Sequence, residues 1–257
     1  TIDGNLTIDA NLALGAVHGT NTDDGVVTVT GTTTLNSGTF TVDATTAGAS
    51  AANTFTTAGF SQSGGTITLD NGNNAADHGI LEVSGTFDRT SGTFTATEPG
   101  ALVDINGSAP QSFNGGPNFQ LSDLTVSNTG GTVTIGNTVR AFGTVTINSG
   151  SIVELGNRNI VFNSANGTMV NQGTIQTTGG TTGAIIFGGQ NFVAGGVNVD
   201  GMAINASSSA TFSNIIIDVG SANDVVTTGS GGNIRWTKQL YLYSGDLNNT
   251  VAVDIAP

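Results

Sequence analysis

The segment Gly31 to Val42, GTTTLNSGTFTV, constrains this chain more than any other, because its pattern returns at a nearly fixed interval. The frame recurs without a gap at Ala58 to Leu69, AGFSQSGGTITL, and the same step again gives Gly85 to Ala96, GTFDRTSGTFTA. With the frame glycine as position zero, further copies begin at Gly4, Gly115, Gly143, Gly173, Ala203 and Gly232, a period of roughly 27 to 30 residues that falls in the range of repeat architectures. Within each copy, period-two alternation punctuated by Gly, Asn-Gly or Ser-Gly reads as short strands joined by tight turns. Such a unit, with no helix in it, cannot bury its apolar face alone and must stack on its neighbours.

Stacking predicts columns of like residues at equivalent positions. Position nine reads Ala13, Phe40, Ile67, Phe94, Leu124, Ile152, Thr182, Phe212, Tyr241, mostly a core column. Position eight reads Leu12, Thr39, Thr66, Thr93, Asp123, Ser151, Thr181, Thr211, Leu240, the polar neighbour that alternation places outside. A coil whose rungs pair with those above and below is a parallel β-solenoid, and parallel connections prefer the right hand. The expected fold is therefore all-β, a right-handed parallel β-helix of about nine rungs with roughly 27–30 residues per rung, in one domain over 1–257. At about 4.8 Å per rung that is a rod roughly 43 Å long. Propeller blades, the rival repeat, run about 40–50 residues.

Composition agrees with strands. Only 9% of the 257 residues are charged, 39 are Gly, and three Glu (Glu82, Glu98, Glu154) with one Lys (Lys238) supply little for a solvated amphipathic helix. The net charge of -13 sets 18 acidic residues against Arg89, Arg140, Arg158, Arg235 and Lys238, which are scattered. Nucleic acid and anionic membrane surfaces need clustered positive charge, so neither is an expected partner. The absence of Cys excludes disulfides, thiolate metal sites and a cysteine nucleophile. No apolar run approaches the roughly 20 residues of a membrane span, and with Thr1 in place of Met no signal peptide is visible, so the chain reads as mature or excised.

A solenoid end is an open sheet edge that a helix, a loop or another chain normally covers, and neither end reads as a cap. The expectation is a longer solenoid or a subunit that stacks end to end on copies of itself. Trp236, Tyr241 and Tyr243, the only Trp and both Tyr, crowd the last copy, where they either seal the core or form a contact surface.

The run Gln111 to Phe162, QSFNGGPNFQLSDLTVSNTGGTVTIGNTVRAFGTVTINSGSIVELGNRNIVF, resembles repeats of very large bacterial cell-surface and secreted proteins often described as adhesin-like. The resemblance covers about a fifth of the chain closely and most of it loosely through the GT-x-T pattern. It implies an extracellular β-solenoid stalk or filament on a bacterium, and it brings no catalytic motif with it. The N-terminal secretion motifs of filamentous-haemagglutinin-type proteins are absent, which leaves the export route open.

Candidate chemistry is sparse. His18 and His78 lie far apart in the sequence, and Asp70, Asn71, Asn73 and Asp77 form an oxygen-rich loop that could hold calcium, although its spacing matches neither an EF-hand nor a nonapeptide calcium repeat. Asp23-Asp24 before Gly25 is a similar, weaker pattern. A polysaccharide-cleaving β-helix needs carboxylates converging from neighbouring rungs. In the frame, Asp88 falls at three, Asp123 at eight and Glu154 at eleven, so no acidic column emerges. The outer ladder Thr39, Thr41, Thr66, Thr68, Thr93 and Thr95, with Thr125 continuing the second column, resembles the flat Thr arrays of ice-binding proteins and equally suits an exposed strand. The expected function is a non-enzymatic structural protein of the bacterial cell surface or extracellular matrix, a stalk, fibre or filament partnered by itself or by neighbouring solenoid segments. No catalytic, cofactor or metal residue is assigned. A carbohydrate-binding or surface-binding adhesin module along the Thr/Asn face is the alternative, and ice binding the third.

Overall fold

Asn-Ser-Gly and its variants turn the chain because glycine alone enters the left-handed region without strain: Gly38, Gly65 and Gly92 have φ of +74°, +63° and +83°. These corners also lie on one another. A Cβ built on Gly65 would stand 2.6 Å from the Gly38 carbonyl oxygen, so the rungs could not close up around a larger residue. Between corners the β-branched runs extend and pair, always in parallel, with the equivalent run of the next rung. In this computed structural model, residues 1–14, 25–42, 52–69, 78–164, 167–178, 182–188, 203–206, 211–218, 225–228, 234–244, 246–249 and 253–255 are described, and none of them is helical.

The coil has three faces. The first stacks 26–29, 52–57, His78–Val83, Leu102–Ile105, Asp123–Val126, Thr144–Ile147, Thr168–Asn171, Ala203–Ala206, Val225–Thr228 and Asp246–Asn249. The second stacks Leu6–Ile8, 32–35, 60–62, Phe87–Arg89, Gln111–Asn114, Thr132–Ile135, Ile152–Glu154 and Thr174–Gln176. The third is made of two sheets. One holds Leu12–Ala13, Thr39–Thr41, Thr66–Thr68 and Thr93–Thr95; the other runs from Phe119–Leu121 through Val139–Ala141, Ile160–Phe162, Ile185–Gly188, Phe212–Asp218 and Ile234–Ser244 to Val253–Ile255.

Inward columns build one core along the axis. On the first face Phe55, Leu81, Val103, Leu124, Val145, Met169 and Ile204 follow one another in register, all buried. Where the third face passes from one sheet to the other, aromatic rings fill the join. Phe87 lies 5.3 Å from Phe60, 4.9 Å from Phe113, 5.9 Å from Phe94 and 5.7 Å from Phe119, while Phe94 and Phe119 are 4.9 Å apart. Stacked, tilted and edge-on ring pairs of this kind add to the area they bury.

The β-solenoid class holds, but its uniform period does not. Leu6, Thr33, Phe60 and Phe87 pair in succession, each one full sequence period beyond the last. From there the steps shorten: Phe113 follows Phe87, Ile135 follows Phe113, Val139 follows Phe119 and Ile160 follows Val139, each in less than that period. The number of turns therefore departs from the nine that a constant period gives. Phe40, Ile67 and Phe94 stack in register as expected, with Phe40 fully buried and Thr39 and Thr41 half-exposed. Beyond Phe94 the frame slips by one face. Gly143 to Ile152 copies Gly31 to Phe40, yet its Asn-Ser-Gly corner joins the first face to the second rather than the second to the third. Leu124 is consequently a core residue of the first face, Ile152 is half-exposed between Thr132 and Thr174, and Ser151, expected outside, is buried. At the start, Leu12 rather than Ala13 pairs with Phe40.

Candidate functional site

The Thr ladder is present and short. Thr39, Thr66 and Thr93 form one column and Thr41, Thr68 and Thr95 the other, each hydroxyl-bearing residue flanking an inward Phe40, Ile67 or Phe94. Five of the six are half-exposed and Thr93 is exposed. At about 4.8 Å between rungs and about 6.7 Å between alternate residues the six make a lattice three rungs deep. Asn11 bounds it on one side, its Oδ1 accepting from Thr39 N at 2.9 Å. Thr125 does not extend it; that residue pairs with Asp104 and Thr146 on the first face.

The three carboxylates singled out in the sequence stay apart, and each is held by its own neighbours. Asp88 accepts from Asn114 Nδ2 at 2.7 Å, and Asn137 in turn donates to Asn114 Oδ1, giving a small acid-amide ladder outside the second face. Glu154 is nearly buried and accepts from Gly156 N at 2.8 Å, from Thr178 N at 3.0 Å and from Thr178 Oγ1. Asp123 sits at a corner, where Oδ1 accepts from Thr144 N and Oδ2 from Gly100 N at 3.2 Å and Ser122 Oγ at 3.3 Å. Carboxylates bound to backbone N–H groups in this way are corner staples.

One acidic contact escaped the sequence columns because the frame was out of phase there. Asp104 and Glu82 are register partners on the outside of the first face. Burial pushes the Asp104 carboxyl above its ordinary value, the Ser127 hydroxyl hydrogen bond (2.8 Å) pulls it back, and the Glu82 charge raises it further. Glu82 accepts from Thr56 Oγ1 at 2.8 Å. Among the described residues no group of three or more His, Asp or Glu is placed to hold a metal.

The proposed calcium loop, Asp70, Asn71, Asn73 and Asp77, lies outside the described residues, as do His18 and Asp23-Asp24. His78 opens a strand half-buried, its Nδ1 without a hydrogen-bond partner. Trp236, Tyr241 and Tyr243 all fall on the strand Ile234–Ser244, where Trp236 pairs with Phe212 and Tyr241 with Ile216, so Tyr241 does not continue the Phe212 column; their side chains lie outside the described residues.

Sequence reasoning passed over several polar residues that hold corners. Arg89 donates to the Gly115 carbonyl at 2.6 Å, to Pro117 O at 3.5 Å and to Gly92 O, and burial holds its guanidinium below the ordinary value. Gln62 reaches Gly64 O and Thr93 O, and Gln111 reaches Val83 O and Gly85 O. The signal was present as a polar residue at an inward alternation position beside a Gly turn. No family model, curated protein or solved structure matches the chain.

Proposed function

We propose that the chain is a non-enzymatic structural rod, a segment of an extracellular stalk, fibre or filament on a bacterial surface. One observation carries this reading: the apolar column of the first face passes from Phe55 to Ile204, rung to rung, without a break in its pairing. Load applied along such an axis is borne by hydrogen-bonded sheets on three faces and a packed core, which suits a spacer. The same surfaces favour neighbouring solenoid segments or further copies as partners, because a parallel edge is completed by another strand. Electron microscopy of the purified protein at high concentration tests the assembly: rods joined end to end are expected, and strictly monomeric particles would overturn self-stacking.

The register of the Thr lattice supports a second reading, in which that face binds a surface, either glycan or ice. Thermal hysteresis separates the two, since a glycan binder shows none.

A further inference from the structure

The connection from the third face back to the first differs in length from rung to rung, and that difference carves a cleft. It is six residues at 96–101, one at Ser122, two at Phe142 and Gly143, and five at 163–167. The two short corners stack directly, with Gly143 N donating to Ser122 O at 3.0 Å and Phe142 N to Leu121 O at 3.0 Å. They form a floor between two longer loops. Thr97 and Pro99 supply one wall and Ser164 the other, enclosing about 410 Å³ with Ser122, Asp123, Phe142, Gly143 and Thr144 beneath. Three rung spacings separate the walls, roughly 14 Å, room for one or two hexose rings.

We propose that this cleft is a binding subsite for a neutral saccharide. Its chemistry is the mixture such a ligand needs. Among the described residues nine phenylalanines are under 2% exposed, whereas Phe142 is half-buried at the cleft floor, presenting an aromatic surface outside the core. A pyranose has one face of C–H groups that packs on an aromatic ring and a rim of hydroxyls that need donors and acceptors. Thr144, Thr97 and Ser164 line the cleft with hydroxyls able to do both, and Ser122 Oγ, which donates to Asp123, can accept. Asp123 fixes the arrangement, since its carboxylate joins Gly100 of one wall to Ser122 and Thr144 of the floor. Its charge, on a chain of net -13, selects against acidic sugars. The cleft and the rod are independent, and a rod that binds no sugar remains a rod.

The test is a titration of the whole protein with cellotetraose, mannotriose, chitotetraose and an oligogalacturonate, followed by calorimetry and saturation-transfer NMR. At least one neutral oligosaccharide is expected to bind with a Kd of about 1 mM or tighter. Phe142→Leu keeps apolar bulk but removes the flat ring, and should weaken binding about tenfold or more while the thermal midpoint hardly moves. Thr68→Val on the separate Thr lattice should leave it unchanged. Three results would overturn the proposal: no neutral oligosaccharide binding at about 10 mM, Phe142→Leu binding within about twofold of the parent, or oligogalacturonate binding as tightly as the neutral sugars.

Discussion

The first three full rungs and the rungs between Leu102 and Gln176 solve the same packing problem with different amounts of chain. In the former the return from the third face to the first takes ten residues after Thr41 and nine after Thr68; in the latter it takes one after Leu121 and two after Ala141. The corner from the second face to the third changes less, three residues at 36–38, 63–65, 90–92 and 136–138, four at 115–118 and five at 155–159. The first and second faces and their inward columns thus run on through the change of rung length, the third face changes sheet there, and the return to the first face takes up most of the difference. Stacked strands must keep register with their neighbours, whereas an outward loop is free to differ in length.

If the two regions share one core, the largest effect should come from the join. Phe87 touches four other rings that belong to strands on both sides of the change in period. Phe87→Ala should cost about 3–5 kcal/mol, as truncation of a fully buried Phe does, and should shift a single unfolding transition measured by urea denaturation. Two separate transitions would break the idea of a continuous core.

The glycine corners give the next effect. Gly65 combines a positive φ with a neighbour too close for a side chain, while Gly150, at the corner after Thr144–Ile147, has φ +84° but a Cβ there would meet nothing nearer than 3.7 Å. Gly65→Ala is expected to cost about 2–3 kcal/mol and Gly150→Ala about 1 kcal/mol, compared by thermal melts. Equal costs would mean that close rung stacking adds nothing to the backbone conformation.

How much was legible follows the same division. The motif GT-x-T-x-NSG states strand, corner, strand, and in the first rungs it also states which corner, because the even spacing repeats it at the same face. At Gly143 the motif is intact and the face is different, since a local turn signal carries no information on how much chain the preceding loop has consumed. The Thr lattice was readable because it lies inside the regular region. The Asp104–Glu82 contact and the cleft at Phe142 were not, because both depend on cross-rung neighbours set by the shorter period.

Asp104 sharpens the comparison with a smaller effect. Its carboxyl is raised in the folded chain, so the folded state holds a proton more tightly than the unfolded one. Stability on this account falls as pH rises from the ordinary carboxylate range through the raised value. Asp104→Asn removes the charge and keeps an oxygen for Ser127 Oγ to donate to. It should stabilise the protein at pH 7 by up to about 1 kcal/mol and flatten that part of the pH dependence, read from urea midpoints between acid and neutral pH.

The smallest effect belongs to the lattice itself. Thr68 lies between Thr41 and Thr95 with its inward neighbour Ile67 carrying the packing, so its hydroxyl has a surface role and its β-branched shape a structural one. Thr68→Val preserves the shape and should change stability by no more than about 0.5 kcal/mol, measured by thermal melts. A loss of more than that would show that the Thr column, like the Asp88–Asn114–Asn137 ladder on the neighbouring face, is held together by side-chain hydrogen bonds across rungs, and would move those hydroxyls from the binding surface to the scaffold.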